Sequence, residues 1–161
     1  ACRASVWWGG AGSLPLGIDP TSLASSGYGH YADGIDGAMT AHPKVDPETG
    51  ELHGFGYMTD HFGSNTMTYH VIDKRGRTVR SDTFEAPYAA MVHDFMITRD
   101  YVLLPVCPLT CDLSRIEKVG FPFAFDGQAG AYIGVLARGA NVSTIGVGMT
   151  IGAACTICGG A

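Results

Sequence analysis

Leu52-His53-Gly54-Phe55-Gly56-Tyr57, Met67-Thr68-Tyr69-His70-Val71-Ile72-Asp73 and Arg77-Thr78-Val79-Arg80-Ser81-Asp82-Thr83-Phe84 are three short runs rich in aromatic and β-branched residues. The first alternates apolar with small or polar positions and follows Asp46-Pro47-Glu48-Thr49-Gly50, where proline presets φ and glycine accepts a positive φ. It reads as a strand entered through a tight turn. The second and third flank Asp73-Lys74-Arg75-Gly76, which predicts a hairpin with a glycine-bearing loop.

Working outward, Met91 to Thr98 and Tyr101 to Val106 flank Arg99-Asp100 as a second hairpin, and Tyr132 to Leu136 forms a further strand. No stretch of useful length repeats apolar residues at the 3.6-residue helical period, so the chain belongs to the all-β class. Strands at this spacing suit a sandwich or a propeller, whose blades are four-stranded sheets. No low-complexity linker breaks the region up to Arg138, which argues against a domain boundary inside it.

Composition bounds the function. The chain has 161 residues, 46% of them hydrophobic, enough for one ordinary core. Ten basic against fifteen acidic side chains leave a net charge of −5 with no run of either sign, which disfavours nucleic acid or an anionic membrane as partner. The opening Ala-Cys-Arg-Ala-Ser-Val-Trp-Trp-Gly-Gly has no leader pattern, and the absence of an initial Met is read as a start inside a longer protein. Five cysteines, paired in sequence as Cys107/Cys111 and Cys155/Cys158 with Cys2 alone, make a poor disulfide framework and point to the reducing cytoplasm. Arg138 is the last charged residue, and Gly139 to Ala161 forms an uncharged, glycine-rich tail. A membrane span there, with Gly148-x-x-x-Gly152 as a packing motif, is opposed by its glycines and threonines and by the lack of flanking basic or aromatic residues. Asn141-Val142-Ser143 is a glycosylation sequon in form alone.

Neither a Gly-x-Ser-x-Gly elbow nor a phosphate-binding loop is present, so nucleophilic or acid–base hydrolysis has no supporting constellation. Of His30, His42, His53, His61, His70 and His93, those at 53, 61 and 70 lie in the hairpin region without a metal-type spacing and read as structural. His42 stands before Pro43, which holds the backbone extended, and His93 within the apolar run Met91 to Thr98. An imidazole on a rigid extended backbone makes a good metal ligand.

Thr40 to Tyr57, TAHPKVDPETGELHGFGY, and Glu85 to Leu109, EAPYAAMVHDFMITRDYVLLPVCPL, together resemble the carotenoid cleavage oxygenase family, which includes apocarotenoid oxygenases, lignostilbene dioxygenases and retinoid isomerases. Val6 to Gly27 and Phe123 to Gly139 follow the family's order and spacing more loosely. The resemblance implies a seven-bladed β-propeller with Fe(II) on four histidines, of which His42 matches the first and His93 the second. It implies no catalytic side chain beyond these ligands. Dioxygen and a small apolar conjugated alkene, a carotenoid, apocarotenoid or stilbene, would be the partners, and two carbonyl compounds the products.

The same resemblance marks departures. Trp8 occupies the place of a glutamate that orients a ligand histidine, and indole cannot accept a hydrogen bond. Ile157 falls near the third ligand's place, and the fourth lies beyond Ala161. Cys155 and Cys158 read as ordinary small residues of the tail and not as substitute ligands. At roughly 45 residues per blade a full ring needs about 315, so this chain makes about half of one: a partial propeller over 1–138 and the tail over 139–161. The expectation is an internal fragment of an Fe(II)-dependent dioxygenase, inactive by itself; the alternative is a non-catalytic β-domain serving as a structural or interaction module.

Overall fold

The computed structural model describes residues 6–8, 14–28, 35, 37–139 and 146–151. Among these the chain is nearly all β. In order come β1 (Val6–Trp8), β2 (Leu16–Ile18), β3 (Ser25–Tyr28), β4 (Lys44–Val45), β5 (Leu52–Tyr57), β6 (Thr66–Ile72), β7 (Thr78–Glu85), β8 (Met96–Ile97), β9 (Tyr101–Val106) and β10 (Leu109–Cys111). A helix, α1 (Ser114–Val119), precedes β11 (Phe123–Phe125), β12 (Ala131–Ala137) and β13 (Gly146–Ile151). The chain divides into two compact units, Ala1–Glu85 and Ala86–Ala161.

The first unit holds an antiparallel sheet in the order β1-β2-β3 and a four-stranded antiparallel sheet in the order β4-β5-β6-β7. β6 lies between two long neighbours and is buried from Met67 through Ile72, as a strand covered on both faces must be. β7 alternates half-buried with exposed residues along its length, so one of its faces meets solvent. Registers Phe55↔Tyr69 and Tyr69↔Asp82 put His53, Phe55, Met67, Tyr69, Val71, Arg80 and Asp82 on one face. On the other, Ile72 packs with Ile35 and Met39, flanked by Leu14 and Leu52.

Turn chemistry sets these registers. Between β4 and β5, Asp46 Oδ1 accepts the Glu48 and Thr49 N–H groups at 2.7 and 3.1 Å, and Gly50 closes the turn at φ +71°. Between β6 and β7, Asp73 Oδ1 accepts the N–H groups of Arg75 and Arg77 at 2.8 and 3.0 Å, with Gly76 at φ +79°. These N–H donors, led by Arg77, hold the Asp73 carboxyl below the usual carboxylate range.

In the second unit the sheet order is β13-β12-β9-β8, with β10 and β11 paired separately. Val102, Leu104 and Val106 of β9 and Leu136 of β12 are nearly solvent-free. Pro105 sits in a strand with neighbours on both sides, yet β8 reaches no further than Met96↔Leu103, so the missing N–H interrupts no ladder there.

Two sequence expectations need correction. The run Met91 to Thr98 is a strand just at Met96–Ile97, preceded by a single bridge, Ala90↔Thr110. Asp94 Oδ1 takes the Phe95 N–H at 2.8 Å, a local bond that competes with a strand ladder. The helix α1 escapes a periodicity search because six residues are too few and none is buried. Its boundaries carry local signals: Asp112 Oδ1 accepts the Ser114 N–H at 2.9 Å, and Gly120 at φ +73° donates to Ile116 O.

Part of the uncharged tail is ordered by pairing: β13 runs antiparallel to β12 with a register shift between Tyr132 and Gly134. Gly148 therefore lies in a strand, while Asn141, Ser143, Gly152, Cys155, Ile157 and Cys158 lie outside the described residues, as do Cys2 and His30. Among the described residues no helix is long and apolar enough to cross a membrane.

Candidate functional site

His42 hangs from a segment fitted onto β5. Residues 38–40 run against that strand, where the Thr40 N–H donates to Phe55 O at 2.6 Å. The fit depends on the alternate glycines: a Cβ on Gly54 would lie 2.0 Å from Met39 Cε, and one on Gly56 would lie 2.1 Å from the Ala38 carbonyl oxygen. Met39 and Thr40 are buried, whereas His42 is exposed. The chain bends at Ala41 and His42 and does not run extended into Pro43, because the buried Thr40 hydroxyl accepts the His42 N–H at 3.1 Å.

His93 belongs to the second unit and lies outside any strand, exposed, between buried Val92 and Phe95. The chain leading to it is tied down: Met91 N–H donates to Leu109 O at 3.0 Å, and Cys111 N–H to Ala89 O at 2.8 Å. The Tyr88 hydroxyl reaches the carbonyls of Gly130 and Val106 at 2.7 and 3.3 Å. Burial first, then the negative charge of Cys107 once it ionises, pushes the Tyr88 pKa up to about 12, so it remains a donor at any ordinary pH.

The remaining described histidines serve the framework. His53 is buried and shares a 2.5 Å hydrogen bond with the Tyr69 hydroxyl. His70, also buried, meets Ser81 Oγ at 3.1 Å, and desolvation lowers its pKa. His61 pairs with Asp60 at 2.8 Å on the surface. Cys107 and Cys111 are free thiols, the latter raised in pKa by burial.

Neutral imidazole is a suitable donor for ferrous ion. Among the described residues, no group of three or more His, Cys, Asp and Glu side chains comes together as a metal would require. The described residues do not by themselves make up a metal site, and of the two histidines singled out by sequence His42 belongs to one unit and His93 to the other. Sequence reading singles out the two imidazoles and passes over Thr40, Gly54 and Gly56. Two glycines at alternate positions of a strand are the available sign of a close backbone approach.

The family model described as retinal pigment epithelial membrane protein matches residues 5–156, almost the whole chain. Isoeugenol monooxygenase of Pseudomonas nitroreducens is 38% identical over 133 residues, which is 82% of this chain and 28% of the relative. Lignostilbene-alpha,beta-dioxygenase isozyme III of Sphingomonas paucimobilis is 31% identical over 128 residues, 78% of this chain and 26% of its own length. The crystal structure of Pseudomonas brassicacearum lignostilbene dioxygenase superposes with a TM-score of 0.82 at 32% identity, over 89% of this chain and 30% of that one. Synechocystis apocarotenoid oxygenase, at 23% identity and a TM-score of 0.69, shares the fold. The chain therefore spans between a quarter and a third of the length of these relatives. With almost every residue inside the matched span and 82% of its length covered by a relative at 38% identity, this chain belongs to the carotenoid oxygenase family.

Proposed function

We propose that this chain is part of an Fe(II)-dependent dioxygenase that splits a conjugated alkene, R–CH=CH–R′, with O2 into two carbonyl compounds. The observation that carries the reading is the 38% identity to an isoeugenol monooxygenase over 82% of the chain, supported by the 32% identity to a lignostilbene dioxygenase. Those names favour an alkene conjugated to an aromatic ring over a long carotenoid.

In this reading His42 and His93 are two of the iron ligands. Iron, when bound, supplies the means of activating dioxygen. The chain's own part is to present two imidazoles on anchored segments. Since the described residues provide no group of three donors, this chain by itself is expected to bind iron weakly and to turn nothing over. With five cysteines, two of the described ones free, we assign it to a reducing compartment.

The test is anaerobic titration of the purified chain with Co(II), reading paramagnetic broadening of each histidine Cε1–H, followed by Fe(II) loading and assay with isoeugenol and a stilbene. His42 and His93 should broaden well before the surface residue His61. Equal broadening of all three would refute their assignment as ligands, and turnover with one equivalent of bound iron would refute the incompleteness of the site.

A further inference from the structure

The two glycines of β5 differ in what they make room for. At Gly54 the atoms a Cβ would strike are Met39 Cε at 2.0 Å and Sδ at 2.6 Å, the far end of a flexible side chain. At Gly56 the closest is the Ala38 carbonyl oxygen at 2.1 Å, followed by its carbon and the Thr59 Cγ2 methyl, both at 2.9 Å; the first two are main chain. Position 54 can absorb a methyl group by a change of Met39 rotamer. Position 56 can absorb one by moving the 38–40 backbone itself, by about 1 Å to restore an ordinary carbon–oxygen contact.

That backbone carries His42 two residues further on. The Thr40 N–H bond to Phe55 O falls between the two glycines, and the Thr40 side chain, 2% exposed, gives its hydroxyl oxygen to the His42 N–H. A hydroxyl so far out of water has little competition for that bond.

We propose that Gly56 and Thr40 are positioning residues for His42. Gly56 seats the 38–40 segment on β5 by backbone contact, and the Thr40 hydroxyl sets the bend from which the imidazole departs. The purpose of this device rests on the ligand reading of His42; its geometry does not. Metal ligands must be held to about 0.5 Å, so a shift of about 1 Å in the seat is enough to weaken one.

The full chain is prepared as wild type, Gly54→Ala, Gly56→Ala, Thr40→Val and Thr40→Ser, and two quantities are read by NMR: amide hydrogen exchange at Thr40 and His42, and Co(II)-induced broadening of the His42 and His93 Cε1–H signals. Gly54→Ala should leave both amides within about twofold of wild type. Thr40→Val should speed His42 exchange by about tenfold, the worth of one hydrogen bond, while Thr40 itself stays protected, and Thr40→Ser should restore it. Gly56→Ala should expose both amides and cut the Co(II) effect at His42 several-fold, more than it cuts the effect at His93. Gly56→Ala behaving like Gly54→Ala, or Thr40→Val like wild type, overturns the proposal. If wild-type His42 does not respond to Co(II), the ligand reading fails, and the exchange data alone decide the positioning. If Gly56→Ala does not fold, the Thr40 pair, which adds no bulk, decides between positioning and its absence.

Discussion

Removing one oxygen atom from Tyr69 should cost this protein more than its size suggests. Tyr69 is 0% exposed and His53 1% exposed, and the hydroxyl and Nδ1 share a 2.5 Å hydrogen bond. Tyr69→Phe keeps the ring, its stacking on His53 at 6.0 Å and the Arg80 guanidinium 5.4 Å from its centroid. What is lost is the hydrogen bond between the hydroxyl and Nδ1, at a place where water cannot take the vacant position. A buried polar atom deprived of a partner costs about 1–3 kcal/mol, and the midpoint of that range, about 2 kcal/mol, is the expected loss. The comparison is Thr68 with Thr83, whose hydroxyls are 3.1 Å apart: in Thr83→Val the Thr68 hydroxyl keeps its bond to Thr59 Oγ1 at 2.9 Å, so the cost should stay at about 0.5 kcal/mol. Urea unfolding followed by far-UV circular dichroism reads both as midpoint changes at constant slope. The larger value corresponds to roughly 4–8 °C in Tm for a chain of this size. His53→Leu removes the nitrogen, so adding Tyr69→Phe to it should cost much less than in wild type, giving a coupling of about 1 kcal/mol or more. A Tyr69→Phe cost indistinguishable from that of Thr83→Val, or no coupling to His53, would refute the argument that burial sets the magnitude.

Two further outcomes follow from the turns and the buried imidazole. Gly50→Ala should lose about 1 kcal/mol in the same urea assay, because φ is +71° while the nearest atom to a new Cβ is 3.8 Å away; the cost is backbone strain and not a clash. His70 has its pKa lowered by desolvation from 6.5, so unfolding raises it. As pH falls below about 6.5 the unfolded chain takes up a proton that the folded one refuses, and stability declines until the folded pKa is passed. Urea midpoints measured from about pH 7.5 to 5.5 should fall, and the part due to His70 should vanish in His70→Gln; an unchanged slope in that variant would count against the assignment.

Much of the strand pattern is legible because it is local information. Leu52–Tyr57 and Tyr101–Val106 coincide with the runs read from alternation and β-branching, and Asp46–Gly50 and Asp73–Gly76 bring their own turn chemistry. The segment around His93 departs from its composition for the opposite reason. Met91 to Ile97 is built of strand-forming residues, but strand requires a partner, and the Asp94 carboxylate and the reach of β10 decide where pairing stops. The six-residue helix lies below the length at which a period can be recognised, although its Asp112 and Gly120 boundary signals are present.

By itself, then, the sequence determined the strand class and the hairpin turns, since each follows from residue type and spacing along the chain, while His42 and His93 are singled out by family resemblance alone. The tertiary structure decided how His42 is held. Gly54 and Gly56 are small residues without evident purpose until the 38–40 segment lies across them, and Thr40 is an ordinary polar residue until burial leaves its hydroxyl to the His42 N–H. It also decided that His53 and His70, alike in sequence to His42 and His93, sit in the sheet interior while the other pair is exposed. Burial and close approach depend on residues distant in the chain, and no local pattern encodes them.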